Sequence, residues 1–163
     1  MSTKFHGNEV SLKGQFVTVG QTVKDSALVK GDLGDWMLSE QKGKIVLNIY
    51  PSIDTPTCAQ STERFNKEAE ALSGVRVVCV SKDLPFAQQR FCSAKGIDKI
   101  DTLSAFRNSS FGTDYGVEIA AGPLAGLFAR AVVIVENGKI IYAQMVSDIS
   151  EEPNYEAALA ALR

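Results

Sequence analysis

Apolar and polar residues alternate in short bursts along the whole chain, and turn-forming residues separate the bursts. Compact apolar runs predict buried strands, whereas apolar residues repeated at i, i+4 and i+7 predict helices. The predicted strands are 36–38, 44–50, 75–81, 100–104, 130–136 and 139–146, and the predicted helices are 58–72, 84–95 and 154–162.

The ends of the predicted helices carry residues that stop or start a helix. Gly74 is expected to close the first helix, and Gly96 is expected to stop the second. Asp83 is expected to cap the second helix, and Pro85 suits its first turn, where no backbone N–H is needed.

Two hairpins are predicted from turn residues. Asn137-Gly138 lies between two apolar runs and is typical of a tight two-residue hairpin turn. Upstream, the pattern of residues 9–19 predicts a hairpin around Gly14, and Gly43 is expected to form a turn. Between the two hairpins, a glycine-rich stretch around residues 112–126 is expected to be mostly loop.

The order of the predicted elements indicates the fold class. A strand, a helix and a strand in succession imply parallel pairing, whereas the Asn137-Gly138 turn implies an antiparallel pair. We therefore predict an α/β protein with a thioredoxin-like fold, in which helices flank a central mixed β-sheet and an N-terminal β-hairpin is added.

Length and composition are those of one globular domain, which we predict to span residues 1–163. Hydrophobic residues make up 45% of the 163 positions, and the net charge is −2, so nothing favours binding to nucleic acid or an anionic membrane. The N-terminal residues lack an apolar signal region, and no apolar run approaches the roughly 20 residues that span a bilayer. We expect a cytoplasmic protein with neither nucleic acid nor membrane as a partner.

The three cysteines, Cys58, Cys79 and Cys92, are too few and too scattered for a structural disulfide framework. The one histidine, His6, lies before the first predicted strand. This argues against a Cys-His hydrolase and against a zinc site of about four ligands. The chain also has no Cys-x-x-Cys pair, which argues against a thiol-disulfide oxidoreductase.

Cys58 lies where a buried strand passes into an amphipathic helix. Either Thr57 caps the helix with Gln60 in a capping box, or Thr55 is the cap and Pro56 is the first helical residue. Both registers place Cys58 in the first turn, where unpaired N–H groups and the helix dipole favour a thiolate. This local pattern also fits a small residue that only packs at the start of the helix.

Ionisation of this thiol would by itself be insufficient for fast catalysis. A free thiol is only a few per cent thiolate at pH 7, so full ionisation gains roughly 30-fold. Faster catalysis needs donors that stabilise the charge that develops in the transition state. A cation among these donors must be arginine or lysine, because the one histidine lies far from Cys58 in the sequence. Cys79, in the middle of a predicted strand, is expected to be a buried and inert thiol.

The chain resembles the bacterial thiol peroxidase subfamily of the peroxiredoxins over most of its length after residue 45. The signature is Pro51-x-x-x-Thr55-x-x-Cys58, and the wider similarity lies in LNIYPSIDTPTC (47–58), VSKDLPFAQQRFCSAKG (80–96), TLSAFRN (102–108), LFARAVVIVENGKIIY (127–142) and EEPNYEAALAAL (151–162). Pro56-Thr57 departs from the glycine and small apolar residue expected there, which can stiffen the loop.

The resemblance implies a role for five residues. Cys58 would be the peroxidatic thiol, Thr55 would hold the peroxide through its hydroxyl, and Pro51 would shield the thiolate from water. Arg130 would stabilise the thiolate and the transition state. Cys92 would resolve the sulfenic acid as an intramolecular disulfide, and this requires local unwinding because both cysteines are predicted to lie on helices.

The resemblance also implies a cycle that needs no metal, haem or flavin. The expected substrates are hydrogen peroxide and organic hydroperoxides, alkyl and lipid hydroperoxides among them, in antioxidant defence. Thioredoxin is the expected reductant, and a homodimer is the expected assembly. The alternative is a peroxide-sensing regulatory protein that uses the same pair of cysteines.

Overall fold

A computed structural model describes residues 2–163. The strands are β1 (Thr3–Phe5), β2 (Asn8–Val10), β3 (Leu12–Lys13), β4 (Ala27–Val29), β5 (Asp35–Met37), β6 (Lys44–Ile49), β7 (Val75–Ser81), β8 (Asp101–Ser104), β9 (Glu118–Ile119), β10 (Ala131–Glu136) and β11 (Lys139–Met145). The helices are α1 (Pro56–Ala69), α2 (Pro85–Lys95), α3 (Phe111–Tyr115) and α4 (Tyr155–Ala160), and a 3₁₀ turn spans Leu38–Glu40. Within residues 2–163, no helix has the length and apolar character needed to cross a membrane.

Seven strands form the central sheet in the order β11-β10-β6-β7-β8-β4-β5. The strands β6, β7 and β8 pair in parallel, and antiparallel strands extend the sheet on both sides of them. Asn137 and Gly138 adopt φ values of 51° and 79°, which a type I′ turn requires, and join β10 to β11. The predicted mixed sheet is therefore confirmed.

The two faces of the sheet carry two separate parts of the core. Ile45, Leu47 and Ile49 of β6 pack on one face, whereas Val46 and Tyr50 pack on the other. Side chains alternate between faces along a strand, so a strand that is apolar throughout must be covered on both sides. On the second face, Val46 and Tyr50 belong to the same buried cluster as Cys58 and Phe65 of α1, so Cys58 is part of the core.

The start of α1 agrees with one of the two capping registers. Thr55 is the N-cap, with φ −92° and ψ 147°, and Pro56 is the first helical residue. Pro56 has no N–H to leave unpaired, which favours this position over one inside the helix.

The end of α2 also agrees with the sequence pattern. Gly96 adopts a left-handed conformation with φ 66°, as predicted for a residue that stops this helix.

The prediction that Asp83 caps α2 is wrong. Leu84 is the N-cap residue, and the Asp83 carboxylate accepts hydrogen bonds from Ser52, Ile53 and Ser81 instead. The carboxylate thus binds a loop that is distant in sequence, which local spacing could not indicate.

The N-terminal hairpin is present but lies earlier than predicted. Strands β1 and β2 pair across a turn at His6 and Gly7, which have φ values of 50° and 83°. Gly14 is not a hairpin turn, because the residues before it form β3 and pair with the distant β9. A side chain at Gly14 would collide with the carbonyl oxygen of Thr113, which explains the glycine there.

The hairpin is held against the segment that follows β11. The Asp148 carboxylate accepts hydrogen bonds from the Ser150 hydroxyl and from the backbone N–H groups of Ser150, Gly7 and His6. These bonds hold the pKa of Asp148 well below its usual range. The backbone of Ile149 is thereby fixed beside the hairpin, and its N–H donates to the carbonyl of Lys4 at 2.7 Å.

The loop-rich stretch before β10 contains more structure than predicted. Residues Phe111–Tyr115 form α3, and Glu118–Ile119 form β9. These elements are five and two residues long. They are too short to show the periodicity on which the sequence prediction depends.

Candidate active site

Cys58 is the third residue of α1 and has no exposed surface, with 0% of its side chain accessible. The first backbone hydrogen bond of the helix runs from the Ala59 N–H to the Thr55 carbonyl at 2.9 Å. The N–H groups of Thr57 and Cys58 precede this bond and lie at the positive end of the helix dipole. An anionic sulfur is favoured at this position.

Arg130, which directly precedes β10, is 1% exposed and contacts the thiol. Its Nη2 donates to the Cys58 sulfur at 3.1 Å, and its Nε donates to the Ile149 carbonyl at 2.9 Å. The Ile149 bond holds the guanidinium plane, and the Cys58 bond brings positive charge to the sulfur.

The charge of Arg130 has no carboxylate partner. None of the ion pairs in the described part of the chain includes this residue. A buried guanidinium is costly without a counter-charge, and a thiolate at Cys58 supplies one. Its Nη1 is also buried and has no hydrogen-bond partner among residues 2–163, so a donor remains free for another molecule.

A cavity of about 420 Å³ has Pro51, Thr55 and Arg130 in its wall, and Arg130 connects it to the buried Cys58 thiol. The Thr55 hydroxyl donates to the Ser52 carbonyl at 2.9 Å, which leaves its oxygen lone pairs free to accept a hydrogen bond. The rest of the wall is largely apolar and includes Phe5, Leu124, Leu127 and Ile149. The structure therefore brings Cys58, Thr55, Pro51 and Arg130 together.

A polar network that the sequence analysis did not identify fixes the backbone of Cys58. The hydroxyls of Ser61 and Thr62 both donate to the Cys58 carbonyl, at 3.0 and 2.9 Å. Thr62 is also bonded to the Tyr50 hydroxyl at 3.0 Å, and burial raises the pKa of Tyr50 well above its usual value. The sequence indicates this network only by the adjacent hydroxyl residues Ser61 and Thr62, which the structure shows to be buried.

Cys92 is separate from this cavity. It lies on α2 and lines a groove of about 300 Å³ together with Trp36, Gln89 and Thr102. Both Cys58 and Cys92 are free thiols in this structure. Burial raises the pKa of Cys92 above its usual value, and a hydrogen bond with Thr102 opposes this shift.

Cys79 lies in the middle of β7 and is fully buried, as predicted. Burial raises the pKa of its thiol to about 12, although a hydrogen bond from Asn48 at 3.5 Å partly opposes the shift. A thiol with a raised pKa stays protonated and unreactive until the pH approaches that value.

We therefore expect Cys79 to resist iodoacetamide in the folded protein at pH 8 and to react fully once the protein is unfolded in guanidinium. Mass spectrometry of the alkylated peptides measures both reactions. The Cys79→Ser variant should retain wild-type peroxidase activity. A large loss of activity in a folded Cys79→Ser protein would show that this thiol takes part in the reaction.

The thioredoxin-like sheet and the buried Cys58–Arg130 pair define the chain as a thiol-dependent redox protein. The family model described as Redoxin matches residues 18–159. The chain is 49% identical to the thiol peroxidase of Corynebacterium glutamicum over 162 residues, and the match covers 98% of both proteins. It is 51% identical to the thiol peroxidase of Mycobacterium tuberculosis over 158 residues, or 96% of this chain and 94% of that protein.

The crystal structure of a peroxiredoxin-like protein from Aquifex aeolicus superposes with a TM-score of 0.94 at 37% identity, covering 99% of this chain and 95% of that chain. The chain belongs to the thiol peroxidases of the redoxin family. The resemblance and the thioredoxin-like fold are both confirmed, and the protein is a peroxidase.

Proposed function

We propose that Cys58 is the thiol that reduces the peroxide and that Cys92 resolves the product within the same chain. The observation that carries this proposal is the 3.1 Å hydrogen bond from the Arg130 guanidinium to the Cys58 sulfur, which joins two buried side chains. A thiolate here is both the counter-charge of Arg130 and the nucleophile.

In the first step, the Cys58 thiolate attacks the terminal oxygen of the hydroperoxide and the O–O bond breaks. An S–O bond forms, Cys58 becomes a sulfenic acid, and the departing oxygen takes a proton and leaves as water or an alcohol. The Thr55 hydroxyl accepts the hydrogen bond of the peroxide O–H. The free Nη1 of Arg130 donates to the oxygen on which negative charge develops.

Pro51 supports this step by keeping water away from the thiolate. It is buried in the wall of the cavity and has no N–H of its own to attract water. In a site of low polarity, the donors of Arg130 act more strongly on the developing charge than they would in water.

In the second step, the Cys92 thiol condenses with the Cys58 sulfenic acid, a disulfide forms and water leaves. The Cys58 thiol is buried at the start of α1, whereas Cys92 lines a separate groove, so the first turn of α1 and the end of α2 must unwind before the sulfurs meet. A dithiol protein, thioredoxin in this proposal, then supplies two electrons and two protons and restores both thiols.

The cavity also supports a substrate class. Its apolar wall suits the hydrocarbon part of an alkyl or lipid hydroperoxide, and the same polar groups also bind hydrogen peroxide. The proposed assembly is a homodimer. The exposed apolar side chains of Leu84, Phe86 and Phe106 provide a surface that such a dimer would cover.

Turnover with thioredoxin, thioredoxin reductase and NADPH tests this function. The wild-type protein should consume many equivalents of peroxide. The Cys92→Ser variant should consume one equivalent, lose thioredoxin-supported turnover and keep Cys58 as a sulfenic acid. Cys79→Ser is the matched control and should turn over normally.

Two results would contradict the proposal. Full thioredoxin-supported turnover by Cys92→Ser would exclude Cys92 as the resolving thiol. A single stoichiometric oxidation of the wild-type protein, without turnover, would favour a peroxide sensor over an enzyme recycled by thioredoxin.

A further inference from the structure

The Asp83 carboxylate connects the loop that precedes Cys58 to the end of β7. Its Oδ1 accepts the Ser52 hydroxyl at 2.8 Å, and its Oδ2 accepts the Ile53 N–H at 2.7 Å and the Ser81 hydroxyl at 2.6 Å. Both oxygens are therefore occupied, and the short distances are those of charge-assisted hydrogen bonds.

The backbone of Asp83 is itself held firmly. Its carbonyl accepts the Ser104 hydroxyl at 2.5 Å, and its N–H donates to the Ser81 hydroxyl at 3.3 Å. Ser81 ends β7 and Ser104 ends β8, so Asp83 is fixed to two strands of the central sheet. The loop residues on the other side of the carboxylate belong to neither a strand nor a helix.

Hydrogen bonds continue from this loop to Thr55. The Ser52 carbonyl accepts both the Thr55 hydroxyl at 2.9 Å and the Thr55 N–H at 3.1 Å. A hydroxyl rotates freely unless a partner holds it. The direction in which Thr55 presents its oxygen to the cavity therefore depends on where the Ser52 carbonyl is held, and Asp83 holds Ser52 and Ile53.

We propose that Asp83 is a positioning residue for the peroxide step, acting through Ser52 on the hydroxyl of Thr55. This inference depends on the proposed role of Thr55 in binding the peroxide. The carboxylate makes no hydrogen bond to Cys58 and does not itself line the cavity, which it reaches only through Ser52. Its effect is to keep the peroxide-binding oxygen in one direction. Small displacements of a group that orients a reactant lower the reaction rate strongly.

A double-mutant cycle tests this inference. Asp83→Asn preserves the shape of the side chain but removes its charge and one acceptor. The rate of Cys58 oxidation is measured in single turnovers by rapid quenching and mass spectrometry, which distinguishes the Cys58 thiol from its sulfenic acid and from the disulfide. We expect Asp83→Asn to slow the peroxide step about tenfold or more in the wild-type background.

In a Thr55→Val background, Asp83→Asn should have little further effect, since the hydroxyl through which it acts is gone. Disulfide formation does not use the Thr55 hydroxyl and should not be slowed. Asp54→Asn is the matched control. Asp54 is an exposed carboxylate in the loop that precedes Cys58, and its ion pair with Arg90 is long at 3.7 Å. Asp54→Asn should therefore change the rate of the peroxide step by no more than about twofold.

If Asp83→Asn slowed the peroxide step equally in the wild-type and Thr55→Val proteins, Asp83 would be structural and the inference would be wrong. If Asp83→Asn does not fold, Ser52→Ala removes one of the three bonds and should give a smaller effect with the same dependence on Thr55. Failure of wild-type Cys58 to react with peroxide would overturn the proposed function instead.

Discussion

Replacement of Cys58 by serine should lower the rate of peroxide reduction at least about 10³-fold, because the variant lacks the atom that attacks the peroxide. Serine has nearly the same size and keeps its place at the start of α1. Its hydroxyl can still accept from Arg130, but it forms no sulfenic acid. Consumption of NADPH in the presence of thioredoxin, its reductase and peroxide measures the loss.

The matched control for this variant is Cys79→Ser, which makes the same chemical change at another fully buried position. That protein should keep its activity. If the two serine variants lost activity to the same extent, the loss would come from the disturbed core and not from the removal of the nucleophile.

Replacement of Arg130 by glutamine should slow the oxidation of Cys58 by about 10²–10³-fold, the range observed when a transition-state donor is removed from other enzymes. Glutamine can still donate hydrogen bonds through its amide but carries no charge. The thiolate then loses its buried counter-charge, and the departing oxygen loses the free Nη1 donor. Stopped-flow measurement of the single-turnover rate against peroxide concentration gives the second-order constant.

The Arg130→Lys variant separates the effect of the positive charge on the rate from the effect of the planar guanidinium geometry. Lysine keeps the positive charge but cannot donate to Ile149, to Cys58 and to a substrate with the fixed planar geometry of arginine. Its rate should lie between those of the wild-type and glutamine proteins. The control is Arg107→Gln, which removes an exposed arginine that pairs with Asp35, and a rate loss there as large as at Arg130 would contradict a specific role.

Local sequence chemistry predicted much of the fold. The apolar run 44–50 and the helical spacing after Cys58 correspond to β6 and α1. A strand buried on both faces is a continuous apolar run, and an amphipathic helix repeats its apolar residues every three or four positions, so both patterns are local. Gly96 and Asn137-Gly138 also behave as predicted, since the conformations that they adopt depend mainly on their own residue types.

The register of α1 could not be decided from sequence. Thr55-Pro56 and Thr57 with Gln60 both fit known capping patterns, and they differ by only two residues. In the structure, the Thr57 hydroxyl donates instead to the Ser150 carbonyl, 93 positions away in the chain. This contact between distant residues accompanies the register in which Thr55 is the cap. The residues near Thr57 in the sequence do not indicate it.

The same reason explains what the sequence alone could not show about the site. The bond between Arg130 and Cys58 joins residues 72 positions apart, and the Asp83 bonds to Ser52 and Ile53 join residues 31 and 30 positions apart. Spacing and periodicity made Cys58 a candidate nucleophile, but only the family resemblance indicated its arginine. Asp83 was interpreted as a helix cap because its partners lie outside the local pattern.

The proposed cycle requires that Cys58 and Cys92 form a redox pair within one chain. The most direct measurement is a peptide map, by mass spectrometry, of the protein oxidised with one equivalent of hydrogen peroxide. Single chains and any dimers linked by a disulfide are first separated without reduction, and both are quantified and mapped. A Cys58–Cys92 disulfide within one chain is the predicted product, with Cys79 still free. A disulfide that joins Cys58 to Cys79, or one that joins two chains, would contradict the account.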